Sequence, residues 1–367
     1  MKHAEFKAIA RQQQIDFKVN DPEIDIAADR FPIRIIRKNG KEYKIEVRSS
    51  LNWKDCRDEN NLYRIFFSGF RKEITEEVDK EASLTKGQMV TNLLRSEHIP
   101  YNVFFPMQYD LKGTARLFNR ILGEERIATI SKINIEYNPK GLSDGTSFDA
   151  YIEYTPMGAN PGEKGGIGIE VKYTEKEYPM KRNSKEWNET HNAFGIHLAD
   201  NYSKPSNDCG WFKNECLADV LFEDKDRLAS HVVANRYRQI WRNHILGASM
   251  ILGLSANPDD QLSEFTSLTV FPKDNGHFSE VWDEYESKLT PAGLKTFKHI
   301  TYEELFPLMR SCLNTTGIPN LNEWIDYLYR RYIIEFYDHA RVEGLNEILY
   351  SIDSKYVAVS ETDTSCQ

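Results

Sequence analysis

Strands are the clearest elements that the hydrophobic pattern predicts. Apolar and polar residues alternate over residues 31–36 and 43–47, and Asn39 and Gly40 between them favour a tight hairpin turn. Turn-rich segments join three later strand-like runs of apolar residues, which predicts an antiparallel meander. A fourth strand is predicted after a helical segment. These four predicted strands cover residues 126–137, 147–152, 166–172 and 265–271.

Helical periodicity predicts an amphipathic helix at residues 228–252. This helix lies between the third and the fourth of the four predicted strands, which implies that these two strands are parallel neighbours joined by a right-handed crossover. A capping box that begins at Thr85 predicts another helix, which runs to Glu97 and closes at Pro100. Further helices are predicted at residues 278–289, 301–313 and 320–349.

Composition indicates a globular protein whose attraction to polyanions must be local. The chain has 367 residues and a net charge of −9, which repels nucleic acid on average. A basic cluster in the N-terminal hairpin is one candidate patch, although such clusters are often only solvated faces. Its members are Arg34, Arg37, Lys38, Lys41, Lys44 and Arg48. No apolar leader is visible and five scattered cysteines suit reduced thiols, so we expect a cytoplasmic protein.

Candidate chemistry centres on Glu170 and Lys172, which interrupt an apolar, glycine-rich strand. Alternate residues of a strand share a face, so both side chains point the same way. Core strands exclude such charges unless the charges are paired or bind a metal ion. Asp149, on a neighbouring predicted strand, would complete a pair of carboxylates for a metal. The alternative is an ion pair on the solvated face of an edge strand.

The pattern Asp149, Glu170-x-Lys172, together with the order of the predicted elements, resembles the PD-(D/E)XK nuclease superfamily. The resemblance implies a mixed α/β (α+β) fold with a restriction-endonuclease-like αβββαβ core, plus N-terminal strands and C-terminal helices. It implies that Asp149, Glu170 and the backbone carbonyl of Val171 bind Mg²⁺, for which Mn²⁺ substitutes. Lys172 would orient or deprotonate the attacking water, or stabilise the transition state as a cation. A phosphate-binding Gly-x4-Gly-Lys-Ser/Thr loop is absent from the sequence, so no nucleotide cofactor is expected.

Many members of the superfamily also carry an acid on the first core helix, and this sequence offers none at an obvious position. Gln88 and Asn92 form a polar pair one helical turn apart and are the candidates for that place. The alternative, which the capping-box pattern favours, is that Gln88 is only the partner in that box.

Residues 235–244 resemble a helix of uncharacterised bacterial branches of the superfamily. Four polar side chains of this helix are predicted to contact nucleic acid: Arg238, Gln239, Arg242 and Asn243. The alternative is that Tyr237 and Trp241 belong to the core while the polar residues only cap or pair locally. His244 alone is better explained as a structural histidine than as a general base.

The resemblance implies a metal-dependent nuclease, most simply a DNA endonuclease of bacterial restriction, defence or DNA processing that acts on double-stranded DNA. A homodimer and a subunit of a larger defence assembly are both open. The alternative function is a catalytically silent nucleic-acid-binding or protein-interaction subunit that keeps the fold. The predicted domains are an N-terminal module (1–72), a nuclease core (73–275) with an irregular insertion (174–226), a helical extension (276–352) and a disordered tail (353–367).

Overall fold

The computed structural model describes residues 2–80, 86–142, 145–175, 197–220, 237–334 and 357–358. The chain divides into two compact units. The first unit comprises Met1–His98 with Asp326–Gln367, and the second comprises Ile99–Ile325. Among the described residues, no helix combines the length and apolar character that crossing a bilayer needs.

In the first unit, the predicted hairpin is confirmed. Strands β1 (Ile33–Lys38) and β2 (Lys41–Glu46) pair antiparallel, and β8 (Val357–Ala358) pairs with the other side of β2. Asn39 and Gly40 connect β1 to β2 with backbone φ angles of 53° and 74°, as a type I′ turn requires. The predicted domain bounds, including a disordered tail over 353–367, stay predictions.

The helices of the first unit depart from the sequence prediction. Helix α1 (His3–Asn20) was not predicted, and α2 (Arg71–Lys80) follows the hairpin. The helix predicted to reach Glu97 is wrong, because α3 covers only Lys86–Met89. Beyond α3 the backbone bonds to a distant segment instead: Leu93 N–H donates to the Ser49 carbonyl and Leu51 N–H to the Thr91 carbonyl. These tertiary hydrogen bonds compete successfully with continuation of the helix.

The described part of the second unit contains a mixed sheet of five strands in the order β3-β4-β5-β6-β7. The predicted meander is confirmed, since β3, β4 and β5 are antiparallel, and so is the parallel pairing of β5 with β6. A fifth strand, β7, was not predicted and pairs parallel to β6. The bounds are β3 Ile127–Tyr137, β4 Phe148–Pro156, β5 Gly165–Val171, β6 Glu264–Phe271 and β7 Phe297–Thr301.

Helices accompany this sheet along the chain. In order they are α4 Ile99–Val103, α5 Leu111–Leu122, α6 His197–Asp208, α7 Asn214–Val220, α8 Arg238–Ile251, α9 Gly276–Glu286, α10 Pro291–Lys295, α11 Tyr302–Cys312 and α12 Leu321–Tyr332. Residues of α12 from Asp326 onward belong to the first unit. Helices α6 and α7 lie inside the segment predicted to be irregular, while the predicted start of α8 at residue 228 lies outside the described residues.

The helix that precedes the sheet is α5, which sequence reasoning missed. The Asp110 side chain accepts a hydrogen bond from Gly113 N–H at its N-terminus, and Gly123, with φ 78°, ends it in the left-handed conformation. Its sequence, LKGTARLFNRIL, contains no acidic residue. An acid of the kind expected on the first core helix is therefore not present on α5.

Strand β5 is buried along its whole length, and its glycines explain how it fits. A Cβ atom on Gly168 would collide with the Phe148 ring. One on Gly166 would lie 2.6 Å from Leu262 Cδ1, too close for any real contact. Because these two glycines share a face with Glu170, the absence of side chains lets bulky groups close over the strand just before the charged residues begin.

Candidate active site

Asp149 and Glu170 lie on adjacent strands. The antiparallel register pairs Ala150 of β4 with Ile169 of β5, which places Asp149 beside Glu170. Oδ2 of Asp149 accepts a hydrogen bond of 2.7 Å from the Val171 N–H. The other carboxylate oxygen of Asp149 has no hydrogen-bond partner among the described residues. One oxygen is thus fixed to the backbone of β5 while the second stays available as a ligand.

Glu170 and Lys172 form a buried ion pair. Lys172 Nζ lies 2.5 Å from Glu170 Oε1, and the two residues are only 4% and 6% exposed. Strand β5 is hydrogen-bonded on both sides, to β4 and to β6. The alternative of an ion pair on a solvated edge strand is therefore wrong. Burial of two charges costs free energy that their mutual attraction must offset, so further hydrogen bonds are needed to hold them.

Helix α8 supplies those hydrogen bonds. Lys172 Nζ also donates to Gln239 Oε1, at 2.5 Å, and Asn243 Nδ2 donates to Glu170 Oε2. Gln239 and Asn243 are one helical turn apart, as the sequence indicated, so both reach the same strand. Asn243 is itself buried, with 4% exposure, whereas Gln239 is exposed. The helix thereby connects both members of the ion pair.

The remaining polar residues predicted on this helix lie elsewhere. Arg242 donates from Nε (3.1 Å) and Nη2 (2.5 Å) to the Thr146 hydroxyl, and Arg238 begins the helix. Tyr237 and Trp241 are fully buried in the core between helix and sheet. The predicted contacts of Arg238, Gln239, Arg242 and Asn243 with nucleic acid stay predictions.

His244 is a structural histidine, as expected. Its ring nitrogens share hydrogen bonds with the Tyr285 hydroxyl (3.0 Å) and the Thr296 hydroxyl (2.8 Å), and the ring stacks on Trp211. Burial lowers the pKa of His244 to about 3 because the charged form loses its hydration. It is therefore neutral at physiological pH.

The electrostatics of the site favour a cation. Burial, followed by the negative charges of Glu170 and Glu136, raises the pKa of Asp149 well above its ordinary value. The Lys172 charge and the Val171 N–H oppose that shift without cancelling it. Two neighbouring carboxylates in a buried setting repel each other, and a hard divalent cation relieves that repulsion.

Glu136 was missed by sequence reasoning. The register of β3 with β4 pairs Ile135 with Ala150 and Tyr137 with Phe148, so Glu136 lies beside Asp149. Its φ of 54° is in the left-handed region, which is uncommon for a glutamate and is found in functional sites more often than elsewhere. Glu136 was visible as a strand residue, but only the register shows that it adjoins Asp149.

The donor set fits a magnesium-type ion with few protein ligands. Carboxylate oxygens are the ligands that Mg²⁺ prefers, and such sites use one or two carboxylates with water and substrate oxygens. Among the residues that the structure describes, no group of three or more His, Cys, Asp and Glu side chains is arranged to hold a metal ion. Asp149 and Glu170 therefore suit an ion that completes its shell from water and substrate, not an all-protein cage.

Side-chain hydrogen bonds to backbone carbonyls hold the chain in place where β5 ends. The Tyr302 hydroxyl donates to the Lys172 carbonyl at 2.7 Å, and Asn275 Nδ2 donates to the Tyr173 and Glu175 carbonyls at 2.9 Å. These contacts limit movement of the backbone that carries Lys172. The predicted role of the Val171 carbonyl as a metal ligand stays a prediction.

Gln88 and Asn92 belong to the first unit. Gln88 is in α3, whereas Asn92 lies beyond its end, where its Oδ1 accepts a hydrogen bond from Leu94 N–H and its backbone forms a β-bridge with Ser50. The two residues are thus not a pair within one helix. Their predicted role as substitutes for the first-helix acid stays a prediction.

Comparison with known families identifies the relationship. A family model described as the PD-(D/E)XK nuclease superfamily matches residues 2–334, most of the chain. Searches of curated proteins and of solved structures found no match. The family match covers both compact units and includes every candidate site residue given above.

Proposed function

The chain belongs to the PD-(D/E)XK nuclease superfamily, and we propose that it is a divalent-metal-dependent endonuclease that hydrolyses phosphodiester bonds of double-stranded DNA. The observation that carries the proposal is the buried Glu170–Lys172 pair beside Asp149, held by Gln239 and Asn243. A catalytically silent relative could exchange the whole pair for apolar side chains of similar volume without losing stability, so the presence of both charges supports a catalytic role. Bacterial restriction, defence or DNA processing is the setting that we propose for this activity.

Mg²⁺ or Mn²⁺ would be held by Asp149 and Glu170, with the Val171 carbonyl as a further ligand, and would supply positive charge against the phosphoryl oxygens of the substrate. Asp149 is suited to this because one of its oxygens is fixed by the Val171 N–H. Both oxygens of Glu170 accept hydrogen bonds, and a carboxylate retains lone pairs beyond those two.

Lys172 is the residue that we propose to act on water. Its ammonium group is held by Glu170 Oε1 and Gln239 Oε1, so it has a defined position beside the two carboxylates. The water oxygen attacks phosphorus and gives up one proton to solvent, the bond from phosphorus to the leaving oxygen breaks, and the leaving oxygen takes a proton from solvent. Lys172 orients the water and stabilises the charge that develops on the phosphoryl oxygens.

Gln239 and Asn243 are positioning residues in this proposal. Asn243 fixes Glu170 Oε2 and Gln239 fixes the Lys172 ammonium group, so the catalytic side chains hold one rotamer before substrate arrives. This role differs from the direct contact with nucleic acid that the sequence suggested for them. Arg242, tied to Thr146, is a better candidate for phosphate contact because it is only partly buried.

Incubation of the purified protein with linear, circular and single-stranded DNA and with RNA tests the proposal, in Mg²⁺, Mn²⁺ or EDTA. We expect cleavage of linear and circular duplexes that EDTA abolishes. Asp149→Ala, Glu170→Ala and Lys172→Ala should each lose the activity, whereas Lys295→Ala, an exposed lysine of the same unit, should keep it.

Each other outcome identifies a different error. Cleavage that persists in EDTA or in all three variants would contradict the metal site. Binding without cleavage of any substrate would favour the silent subunit, and cleavage of RNA alone would overturn the substrate. The expected cytoplasmic location, homodimer and larger assembly stay predictions, and analytical ultracentrifugation separates the two oligomeric expectations.

A further inference from the structure

The β1–β2 hairpin of the first unit carries a positive charge that its own acids do not neutralise. Five basic residues lie in the hairpin and a sixth, Arg48, follows it; two of the six are engaged, since Arg37 pairs with Glu42 and Arg48 pairs with Glu46. The other four are exposed and form no ion pair with any residue that the structure describes. These four are Arg34, Lys38, Lys41 and Lys44.

The strand register sorts these charges onto two different faces. Residues directly opposite each other share a face, and alternate residues of one strand do so too. The register pairs Arg34 with Ile45, Ile36 with Tyr43 and Lys38 with Lys41. We call this set the cationic face: it has three cations and no acid. The opposite, mixed face contains Ile33, Ile35, Arg37, Glu42, Lys44 and Glu46, whose charges cancel.

Two lysines of the cationic face repel each other at the tip of the hairpin. Lys38 and Lys41 are directly opposite across the Asn39–Gly40 turn, where side chains of paired residues start about 5 Å apart. Like charges in this arrangement destabilise a hairpin. A bound anion would remove that penalty, so relief of the repulsion would contribute favourably to the free energy of anion binding at the tip.

We propose that the cationic face binds the phosphate backbone of duplex nucleic acid. This inference rests on the proposed function and adds the surface that holds the substrate. Arg34 and Lys38 are four residues apart on β1, roughly 13 Å, which corresponds to about four base pairs along a duplex. A two-stranded ribbon also has the width to enter a major groove. On a chain with net charge −9, such a local surface is what a polyanion requires.

The distribution of apolar residues favours nucleic acid over an anionic membrane. The exposed isoleucines of the hairpin, Ile33 and Ile35, lie on the mixed face together with Glu42 and Glu46. A lipid surface would have to receive those acids along with the isoleucines, and anionic headgroups would repel them. The apolar side chains of the cationic face, Ile36, Tyr43 and Ile45, are instead all half-buried, so its cations are its most exposed groups.

The test compares two variants that each lose three positive charges. One carries Arg34→Gln, Lys38→Gln and Lys41→Gln; the matched control carries Lys44→Gln, Lys54→Gln and Lys72→Gln, three exposed lysines of the same unit outside the cationic face. Binding of a fluorescently labelled 30-base-pair DNA duplex is measured in EDTA over a range of salt concentrations. Circular dichroism and thermal melting check that both variants remain folded.

We expect the cationic-face variant to bind about tenfold more weakly or worse near 0.1 M salt, with a salt slope reduced by roughly three, about 0.9 per lost phosphate contact. The control should stay close to wild type. Equal losses in both variants would reduce the effect to bulk charge and overturn the proposal, as would wild-type binding by the cationic-face variant. Stronger face-dependent binding to poly-glutamate or to phosphatidylserine vesicles would assign the surface to another partner.

Cleavage assays at saturating and limiting duplex separate this proposal from the proposed function. The cationic-face variant should keep its kcat and show a raised KM. A wild-type protein that binds through this face but never cleaves would overturn the nuclease and leave the surface intact. A cationic-face variant that cleaves with unchanged KM and affinity would overturn the proposed surface and leave the nuclease intact.

Discussion

Strand β5 and the β1–β2 hairpin have similar alternation of charged and apolar residues and opposite fates. In β5, neighbours on both sides and helix α8 enclose Glu170 and Lys172. In the hairpin, Lys38, Lys41 and Lys44 remain exposed. The alternation along a strand thus predicts which residues share a face, while the neighbouring elements determine whether that face is buried or exposed to solvent. The effect of each charge on the free energy of unfolding depends on that burial.

Both regions also bring like charges together, in a buried site in the first case and in solvent in the second. Asp149 and Glu170 repel each other in a buried site, whereas Lys38 and Lys41 repel each other in water. Coulomb interactions are several times stronger at low dielectric constant, so the buried pair should dominate any measurement of stability. Each pair has a counter-ion in the proposals made above, a divalent cation for the first and a phosphate for the second.

The largest expected effect comes from removing the buried cation. Lys172→Met leaves Glu170 as an uncompensated buried carboxylate, so the free energy of unfolding should fall by about 3–5 kcal/mol. Urea denaturation at pH 7.5 measures it. The matched change in the hairpin, Lys44→Met, should stay within about 0.5 kcal/mol of wild type. Similar losses in both variants would mean that burial does not separate the two regions.

A smaller effect, of opposite sign, should follow from Asp149→Asn in EDTA. The raised pKa of Asp149 means that the folded protein binds a proton more tightly than the unfolded chain, so wild-type stability falls as pH rises above about 4. The variant lacks this penalty and keeps an acceptor for the Val171 N–H. We therefore expect the variant to be more stable than wild type at pH 8.

Chemical denaturation of both proteins between pH 4 and pH 8 checks the sign of that effect. The advantage of Asp149→Asn should grow with pH and shrink or reverse when Mg²⁺ is added, because only the wild type gains from the cation. A variant that is less stable than wild type at every pH would show that the two carboxylates do not repel each other.

The smallest effect is expected at the hairpin tip. Lys41→Gln removes the repulsion with Lys38 and should stabilise the protein by roughly 0.2–0.5 kcal/mol at low ionic strength. The gain should vanish in about 1 M salt, where charges are screened beyond roughly 3 Å. Thermal melting at the two salt concentrations measures the difference, with Lys54→Gln as the control. A gain that is independent of salt would point to a cause other than charge.

Local signals predicted a large part of the fold. Asn39 and Gly40 identified the hairpin, and alternation identified β3 to β6, because both signals depend on residues close in sequence. Helix α5 also has local signals in the sequence, Asp110 before its first residue and Gly123 after its last. Strand β7, by contrast, is five residues long and its pattern is too short to distinguish it from a turn.

The candidate site was predictable only as a set of residue types. Asp149, Glu170 and Lys172 were identified from the sequence, and the structure brings them together. Glu136 could not be connected to them without the register of β3, and the partners of Gln239 and Asn243 depend on how α8 packs on the sheet. Register and packing are long-range properties, and a single sequence records them only weakly.

The glycines of β5 affect how variation among relatives should be interpreted. Gly166 and Gly168 leave room for Leu262 and for the Phe148 ring, and they belong to the same face as the charged pair. Selection would preserve them to maintain close packing, even in a descendant that had lost its activity. An invariant glycine beside Glu170 is therefore no measure of retained catalysis, and under the proposed function a degenerate relative would be recognised first by changes at Asp149 or Lys172.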